Sequence, residues 1–207
     1  MKAYLLFAAA MTMVSGAALA QSLQMANVND PGIYCRFSPD CKIAPMRTSS
    51  SFTPPNLAVT CVLESRSFIG SSMDSQGLYG YEYRLILNND NESGTNFFAV
   101  KSLALNFNCP QSFAFGGHAS NQVWIVADGG PGEVAPSAVN FMETNIVVRF
   151  DPPLVLATLT NRSIGTYFIG MASTNVPQLS TAIIEGLTQT PPNGPAPFHA
   201  EMQARTP

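Results

Sequence analysis

Apolar and polar residues alternate with a period of two along most of the chain after residue 56. Six segments show this alternation, and they begin at Leu57, Tyr79, Leu103, Val123, Ile146 and Ile164. Successive side chains of a β-strand point to opposite faces of its sheet, so each segment predicts a strand that is buried on one side. A seventh segment, Ser180 to Leu187, fits either a strand or a short helix.

Turn-forming sequences separate the predicted strands. They are NNDNESG at 88–94, the glycine pair at 116–117, DGGPG at 128–132, the proline pair at 152–153 and NVP at 175–177. Gly, Asn, Asp and Pro suit the backbone angles of tight turns. Short strands joined by such turns, without a long amphipathic helix or a fixed repeat, predict an all-β sandwich of about seven strands rather than a propeller or solenoid.

Two segments that flank the predicted strands lack the alternation. Residues 21–56 contain five prolines and a TSSS run, and they predict an irregular N-terminal arm that a disulfide holds against the domain. Residues 57–189 form the predicted sandwich. Residues 190–207 are rich in proline and predict an extended or disordered, flexible tail.

The first twenty residues have the three parts of a secretory signal peptide. Lys2 provides the positive charge, Tyr4 to Val14 is an apolar run of the right length, and Ala18-Leu19-Ala20 fits the cleavage signal. No second apolar stretch is long enough to span a bilayer. We therefore expect residues 1–20 to be removed, and the mature chain to be a soluble protein of the periplasm or the cell exterior.

Four cysteines follow the predicted cleavage point. Disulfides persist in exported proteins, and four cysteines allow three pairings. Sequence spacing favours Cys35–Cys41, across a Ser-Pro-Asp turn, and Cys61–Cys109, because both of the latter residues extend the apolar faces of predicted strands. The two histidines lie far from any cysteine pair, so the pattern indicates disulfides rather than a zinc site, and no C-x-x-C redox motif is present.

Charge narrows the classes of partner. The chain has a formal net charge of −3, only 11% of its residues are charged, and Lys and Arg form no cluster. Nucleic-acid binding proteins usually carry a basic patch, so we do not expect a nucleic-acid partner. Binding to an anionic membrane surface would also require a run of basic residues, which the sequence lacks.

No catalytic motif is apparent in the sequence. G-x-S-x-G, H-E-x-x-H and P-loop patterns are absent, and the spacing of the acidic residues singles out no pair for glycoside hydrolysis. His118 lies in the predicted loop FGGHAS, where a solvated histidine, a ligand contact and a catalytic base are the alternatives. No nucleophile accompanies it in sequence.

Oxygen-bearing side chains alternate in the predicted turn NNDNESG. Asn88, Asp90 and Glu92 resemble a calcium loop in composition, but only two of them are carboxylates and the final bidentate ligand of an EF-hand is missing. A hairpin turn rich in Asn and Gly accounts for the same residues. We therefore expect no metal and no other cofactor.

Aromatic residues raise the question of ligand stacking. Tyr79, Tyr81 and Tyr83 share a face with leucines of the same predicted strand, which indicates the core rather than a binding platform. Trp124 shares its face with Gln122 instead. It is predicted either to contact a ligand or partner at the surface or to pack beneath the N-terminal arm.

Three sequence segments resemble a known group of proteins. The strand GLYGYEYRLILNN, a strand that ends in FNCP, and the segment GTYFIGMASTNVP are similar to exported bacterial immunoglobulin-like β-sandwich domains of cell-surface proteins. The resemblance covers about residues 77–177. It implies an immunoglobulin-like sandwich and carries no catalytic residues.

We therefore expect an exported, non-catalytic binding, adhesion or structural module whose partner is a protein or glycan of the cell envelope. A small exported hydrolase acting on glycans or peptides is the first alternative, and a cleft with two carboxylates would favour it. The second alternative is a pilus-type assembly subunit, in which residues 21–30 would be a donor arm that pairs with another subunit.

Overall fold

A computed structural model describes residues 20–55, 57–89, 97–108, 110–115, 118–157, 163–189 and 193–207 of the chain. In chain order its helix and strands are β1 (Gln21–Ser22), β2 (Met25–Asn29), α1 (Asp30–Phe37), β3 (Met46–Phe52), β4 (Val59–Ile69), β5 (Tyr79–Asn89), β6 (Phe97–Asn106), β7 (Phe113–Phe115), β8 (His118–Asn121), β9 (Val123–Asp128), β10 (Ala138–Met142), β11 (Asn145–Ala157), β12 (Ile164–Gly165), β13 (Phe168–Ser173), β14 (Gln178–Gln189) and β15 (Ala196–Thr206). A short 3₁₀ turn, Met73–Ser75, precedes β5.

Two sheets face each other. The first has the order β1-β10-β11-β6-β14-β15, and the second has the order β2-β9-β13-β5-β4-β3, with the short β12 beside β5. Strands β7 and β8 form a separate hairpin. Neighbouring strands within the sheets run antiparallel, except that β2 runs parallel to β9. The predicted all-β sandwich is thus confirmed, although it has more strands than the seven expected.

Alternating apolar residues from both sheets form the core. Tyr81, Tyr83, Leu85 and Leu87 of β5 have no exposed surface, as their shared face predicted. Leu103 and Leu105 of β6 are equally buried in the same cluster on the opposing sheet. The period of two therefore identified the inward face of the central strands.

The N-terminal segment is more regular than the sequence predicted. Residues 21–56 contain β1, β2, α1 and β3, with β1 in the first sheet and β2 in the second. Helix α1 begins after Asn29, whose Oδ1 accepts a hydrogen bond from the backbone N–H of Gly32 at 2.6 Å. Pro31 lies in the first turn, where its missing N–H costs nothing. The prolines that suggested an irregular arm lie in this turn and between the elements.

The predicted flexible tail is wrong from Ala196 onward. Strand β15 pairs with β14 along its whole length, from Thr206 opposite Gln178 to Ala196 opposite Thr188. Because β15 is an edge strand of its sheet, it tolerates Pro197. Ala200, Met202 and Ala204 are buried on its inner face. The ambiguous segment 180–187 is part of β14 and is a strand.

Strands β15 and β3 lie side by side where the two sheets approach each other. The backbone N–H of Gln203 donates to Ser50 Oγ at 3.1 Å, and that of Arg205 donates to Ser65 Oγ at 2.9 Å. The Tyr83 hydroxyl donates to the carbonyl oxygen of Arg205 at 2.6 Å. Ser50 lies on β3, whereas Ser65 lies on β4 and Tyr83 on β5, so side chains of the second sheet bind the backbone of β15 across this seam.

Among the described helices, none combines the length and hydropathy required to cross a bilayer.

Candidate functional site

Helix α1 covers part of the outer face of the second sheet. Ile33 and Phe37 of the helix are buried there against Phe68, Phe113 and Trp124, with the Phe37 and Trp124 ring centroids 5.6 Å apart. The predicted disulfide Cys35–Cys41 is formed and closes the loop that follows the helix. A second apolar cluster therefore lies outside the sandwich core, beneath a covalently pinned helix.

A row of paired residues crosses this outer face. The strand register places Arg47 opposite Arg66, Arg66 opposite Glu82, Glu82 opposite Gly170, and Gly170 opposite Trp124. Residues that lie directly opposite each other in neighbouring strands point to the same face. All five residues of the row are therefore on the outer face of the second sheet.

Gly170 allows Trp124 to reach Glu82. A Cβ atom on Gly170 would lie 2.0 Å from the indole Nε1, so the indole occupies the space where a side chain would be. Its N–H donates to Glu82 Oε1 at 2.9 Å. The lack of a side chain at Gly170 of β13 therefore makes a hydrogen bond between β9 and β5 possible.

Glu82 is a fully buried carboxylate. Its Oε2 accepts a hydrogen bond from Arg66 Nε at 2.5 Å, so both carboxylate oxygens have a donor. Burial raises the pKa of Glu82 above its usual range, and the Arg66 guanidinium and the Trp124 N–H oppose this rise. The carboxylate holds Arg66 in one orientation by a charge-assisted hydrogen bond.

Arg66 is held from other sides as well. Its guanidinium carbon lies 3.8 Å from the centroid of the Phe168 ring, and its Nη2 donates to the Tyr34 hydroxyl. Asp30 Oδ1 lies 3.8 Å from the same nitrogen. Burial, followed by the charge of Glu82, raises the pKa of Tyr34 well above its usual range, so Tyr34 remains a neutral partner. Arg66 is only 9% exposed.

A cleft of about 320 Å³ opens beside Arg66. It is lined by Arg47, Thr48, Ser49, Glu64, Ser65, Arg66 and Phe168. Arg47 lies on the edge strand β3, is exposed, and has neither an ion pair nor a hydrogen-bonded partner among the described side chains. Glu64 lies 3.7 Å from Arg84 Nη1. The cleft therefore combines the fixed guanidinium of Arg66, the exposed guanidinium of Arg47 and the Ser49 hydroxyl, which is an arrangement suited to binding an anion.

The two predicted contact residues have different outcomes. Trp124 is fully buried beneath the N-terminal segment, so the second of its two predicted alternatives applies and it is not a surface contact. His118 begins β8, and its side chain lies outside the described part of the structure. Its predicted role therefore stays a prediction.

The weak calcium candidates do not form a described site. Asn88 lies in β5, whereas Asp90 and Glu92 lie outside the described residues. In the described ranges, no three His, Cys, Asp or Glu side chains come close enough together to hold a metal ion.

The second predicted disulfide differs from the structure. Cys61 faces the core, as the strand pattern predicted, but it is a free thiol, and burial raises its pKa to about 12. Cys109 lies outside the described residues. The strand pattern gives the face of a cysteine but not what lies across the core from it, which is why it could not establish the pairing.

The Arg66–Glu82–Trp124 network was not predicted from the sequence. Glu82 is a buried cross-strand partner of Arg66. The sequence feature that indicates this network is Gly170 in β13, because a glycine inside a strand indicates the close approach of another group.

The chain matches no protein-family model, no curated protein and no solved structure.

Proposed function

We propose that this chain is an exported, non-catalytic binding, adhesion or structural module of the periplasm or cell surface, and that its partner is a protein or glycan of the cell envelope. The observation that carries the proposal is the cleft beside Arg66. It places the rigidly held guanidinium of Arg66 in the same cleft as that of Arg47, which has no partner among the described residues. Strands position binding groups more accurately than mobile loops do.

The pairing of Arg47 with Arg66 supports a binding role. Like charges that lie directly opposite in a sheet destabilise it, and Glu82 compensates only Arg66. An anionic group bound between the two guanidinium groups would relieve this repulsion. Arginine forms bidentate hydrogen bonds with carboxylate and phosphate groups, which gives such a site its selectivity.

The proposed location outside the cytoplasm rests on two features. The sequence begins with a signal-peptide pattern, and the Cys35–Cys41 bond is of the kind that persists in oxidising compartments. The narrower resemblance to bacterial immunoglobulin-like domains is part of the proposal. It is supported by the antiparallel two-sheet architecture and by the central position of the Tyr-rich strand β5.

A hydrolase is the second candidate, because a depression of about 660 Å³ on the outer face of the first sheet is lined by both Asp151 and Glu185. Both residues are exposed to solvent, whereas a catalytic acid usually depends on burial to raise its pKa. If the chain hydrolyses a glycan or peptide there, Asp151→Asn and Glu185→Gln should each abolish turnover.

The pilus-type alternative would require the N-terminal strands to leave the fold. Strand β1 pairs with β10, and β2 pairs with β9 of the same chain. A donor arm would instead pair with a second subunit. We therefore rank this function below the other two.

A binding screen tests the proposal. The mature protein would be applied to arrays of envelope glycans and peptides, together with Arg47→Ala and with Arg149→Ala, which removes an exposed arginine from the opposite sheet. We expect binding that Arg47→Ala abolishes and Arg149→Ala leaves unchanged. No binding by the wild type, or binding that is insensitive to Arg47, would contradict the proposal.

A further inference from the structure

We propose that the cleft beside Arg66 binds the carboxylate of a sugar acid of the uronic-acid class. This inference rests on the proposed binding function and adds the chemical class of the ligand. The charge of the cleft, the donors of its two arginines and the Ser49 hydroxyl support it.

The charge of the cleft favours a monoanion. Its lining contains two arginines, Arg47 and Arg66, and one acidic residue, Glu64; behind them the charges of Glu82 and Arg84 cancel, which leaves a net charge of +1. Asp30 also approaches Arg66, at 3.8 Å, but does not line the cleft. A ligand with one carboxylate and no positive charge would neutralise the site, whereas a zwitterionic amino acid would leave the excess charge in place.

The free donors define where the carboxylate binds. Arg66 uses Nε for Glu82 and Nη2 for Tyr34, and its Nη1 has no hydrogen-bond partner among the described residues. The guanidinium of Arg47, on the same face of the sheet, has no hydrogen-bond partner in the described part of the chain. A carboxylate between them can accept two hydrogen bonds from Arg47 and one from Arg66. Because Arg66 is already oriented by its partners, little side-chain entropy is lost on binding.

The remaining wall suits hydroxyl groups. The Ser49 hydroxyl, on the same face as Arg47, can donate and accept a hydrogen bond, and Glu64 can only accept. A sugar ring presents hydroxyl groups that also donate and accept. Glu64 lies 3.7 Å from Arg84, so it is better matched to a neutral hydroxyl donor than to an ammonium group that would compete with Arg84.

The size of the cleft limits the ligand. Its volume of about 320 Å³ lies at the lower end of the range of roughly 300–1,000 Å³ that is usual for small-ligand sites. Such a volume holds one or two sugar units. The ligand is therefore a sugar acid or the acidic unit of a longer glycan whose other units remain outside the cleft.

Titration of the mature protein with D-glucuronate tests the inference. We would follow the Nε–H signals of Arg47 and Arg66 by NMR and measure the dissociation constant by calorimetry. D-glucose serves as the neutral analogue, and L-serine as a zwitterion whose ammonium group cancels the charge of its single carboxylate. We expect saturable binding of glucuronate with shifts of both signals, and binding of glucose and serine at least about tenfold weaker, the scale of a charge-assisted hydrogen bond.

Matched variants locate the binding. Arg47→Ala should weaken glucuronate binding at least about tenfold, whereas Arg149→Ala should leave it unchanged. Arg47 is exposed, so its removal should not prevent folding. Equal binding of glucuronate and glucose, binding of serine as tight as that of glucuronate, or no effect of Arg47→Ala would each overturn the inference. If the array screen finds a different ligand that depends on Arg47, the binding function stands and the sugar-acid assignment fails.

Discussion

Trp124 lies flat against Gly170, so that the indole crosses β13 and donates a hydrogen bond to Glu82 on the next strand. A Cβ atom on Gly170 would meet the indole at 2.0 Å, a distance that real Cβ contacts do not show. Three strands are therefore coupled by one hydrogen bond that depends on the absence of a side chain.

Gly170→Ala should destabilise the protein by about 3 kcal/mol, because overpacking usually costs 1–3 kcal/mol and Glu82 also loses a buried donor. Urea unfolding with equal m-values gives the difference. Gly194→Ala is the control, since nothing lies within 4 Å of a Cβ atom at that position. Equal stability of the two variants would show that the indole can move away without cost.

Glu82→Leu should cost about 3–5 kcal/mol, because it leaves the Arg66 guanidinium buried without its carboxylate. The double variant with Arg66→Met should cost clearly less than the sum of the two single changes. The pair Glu64 and Arg84 is the control, since its atoms are 3.7 Å apart and Glu64 is 40% exposed. Its coupling should stay below about 1 kcal/mol. Similar coupling energies for both pairs would contradict the role of burial.

Cys61 should make the protein less stable at high pH. Burial raises its pKa from 9.0 to about 12, so above pH 9 only the unfolded state releases the proton and unfolding becomes easier. Between pH 8 and 10, the wild type should lose about 1.4 kcal/mol more than Cys61→Ala, by urea unfolding at both pH values. Equal losses would indicate that Cys61 has no free thiol and is bridged, as the sequence predicted.

Alanine at both Cys35 and Cys41 removes their bond. The free energy of unfolding should then fall by about 2 kcal/mol, which is the chain-entropy value for so short a loop. Because the bond follows helix α1, the loss should appear as greater access of iodide to Trp124, measured by fluorescence quenching. Pro45→Ala, at a half-buried position beyond the bridged loop, is the control. Unchanged quenching in the disulfide variant would show that apolar packing alone holds the helix.

The strand pattern predicted the core but not the cleft. Tyr81 and Leu85 were placed correctly, because burial of one face repeats every second residue along β5. Glu82 lies on the other face of the same strand. Whether that face meets solvent or a helix depends on α1, which lies about 50 positions earlier in the chain. β15 was missed because Pro197 and the prolines just before the strand suggested disorder, although His199 to Thr206 alternates as a strand does. Local periodicity does not show which distant segment covers a face of a sheet, or which strand lies at the edge of a sheet.

The seam between β15 and β3 has a consequence for self-association. An edge strand with unpaired N–H and C=O groups is a template on which further strands add, and this is how many β-proteins aggregate. Here the N–H groups of Gln203 and Arg205 that face away from β14 are already bound by serine hydroxyls. A further strand that paired with β15 at Gln203 and Arg205 would have to displace Ser50 and Ser65, so the two serines oppose strand addition at this part of the edge.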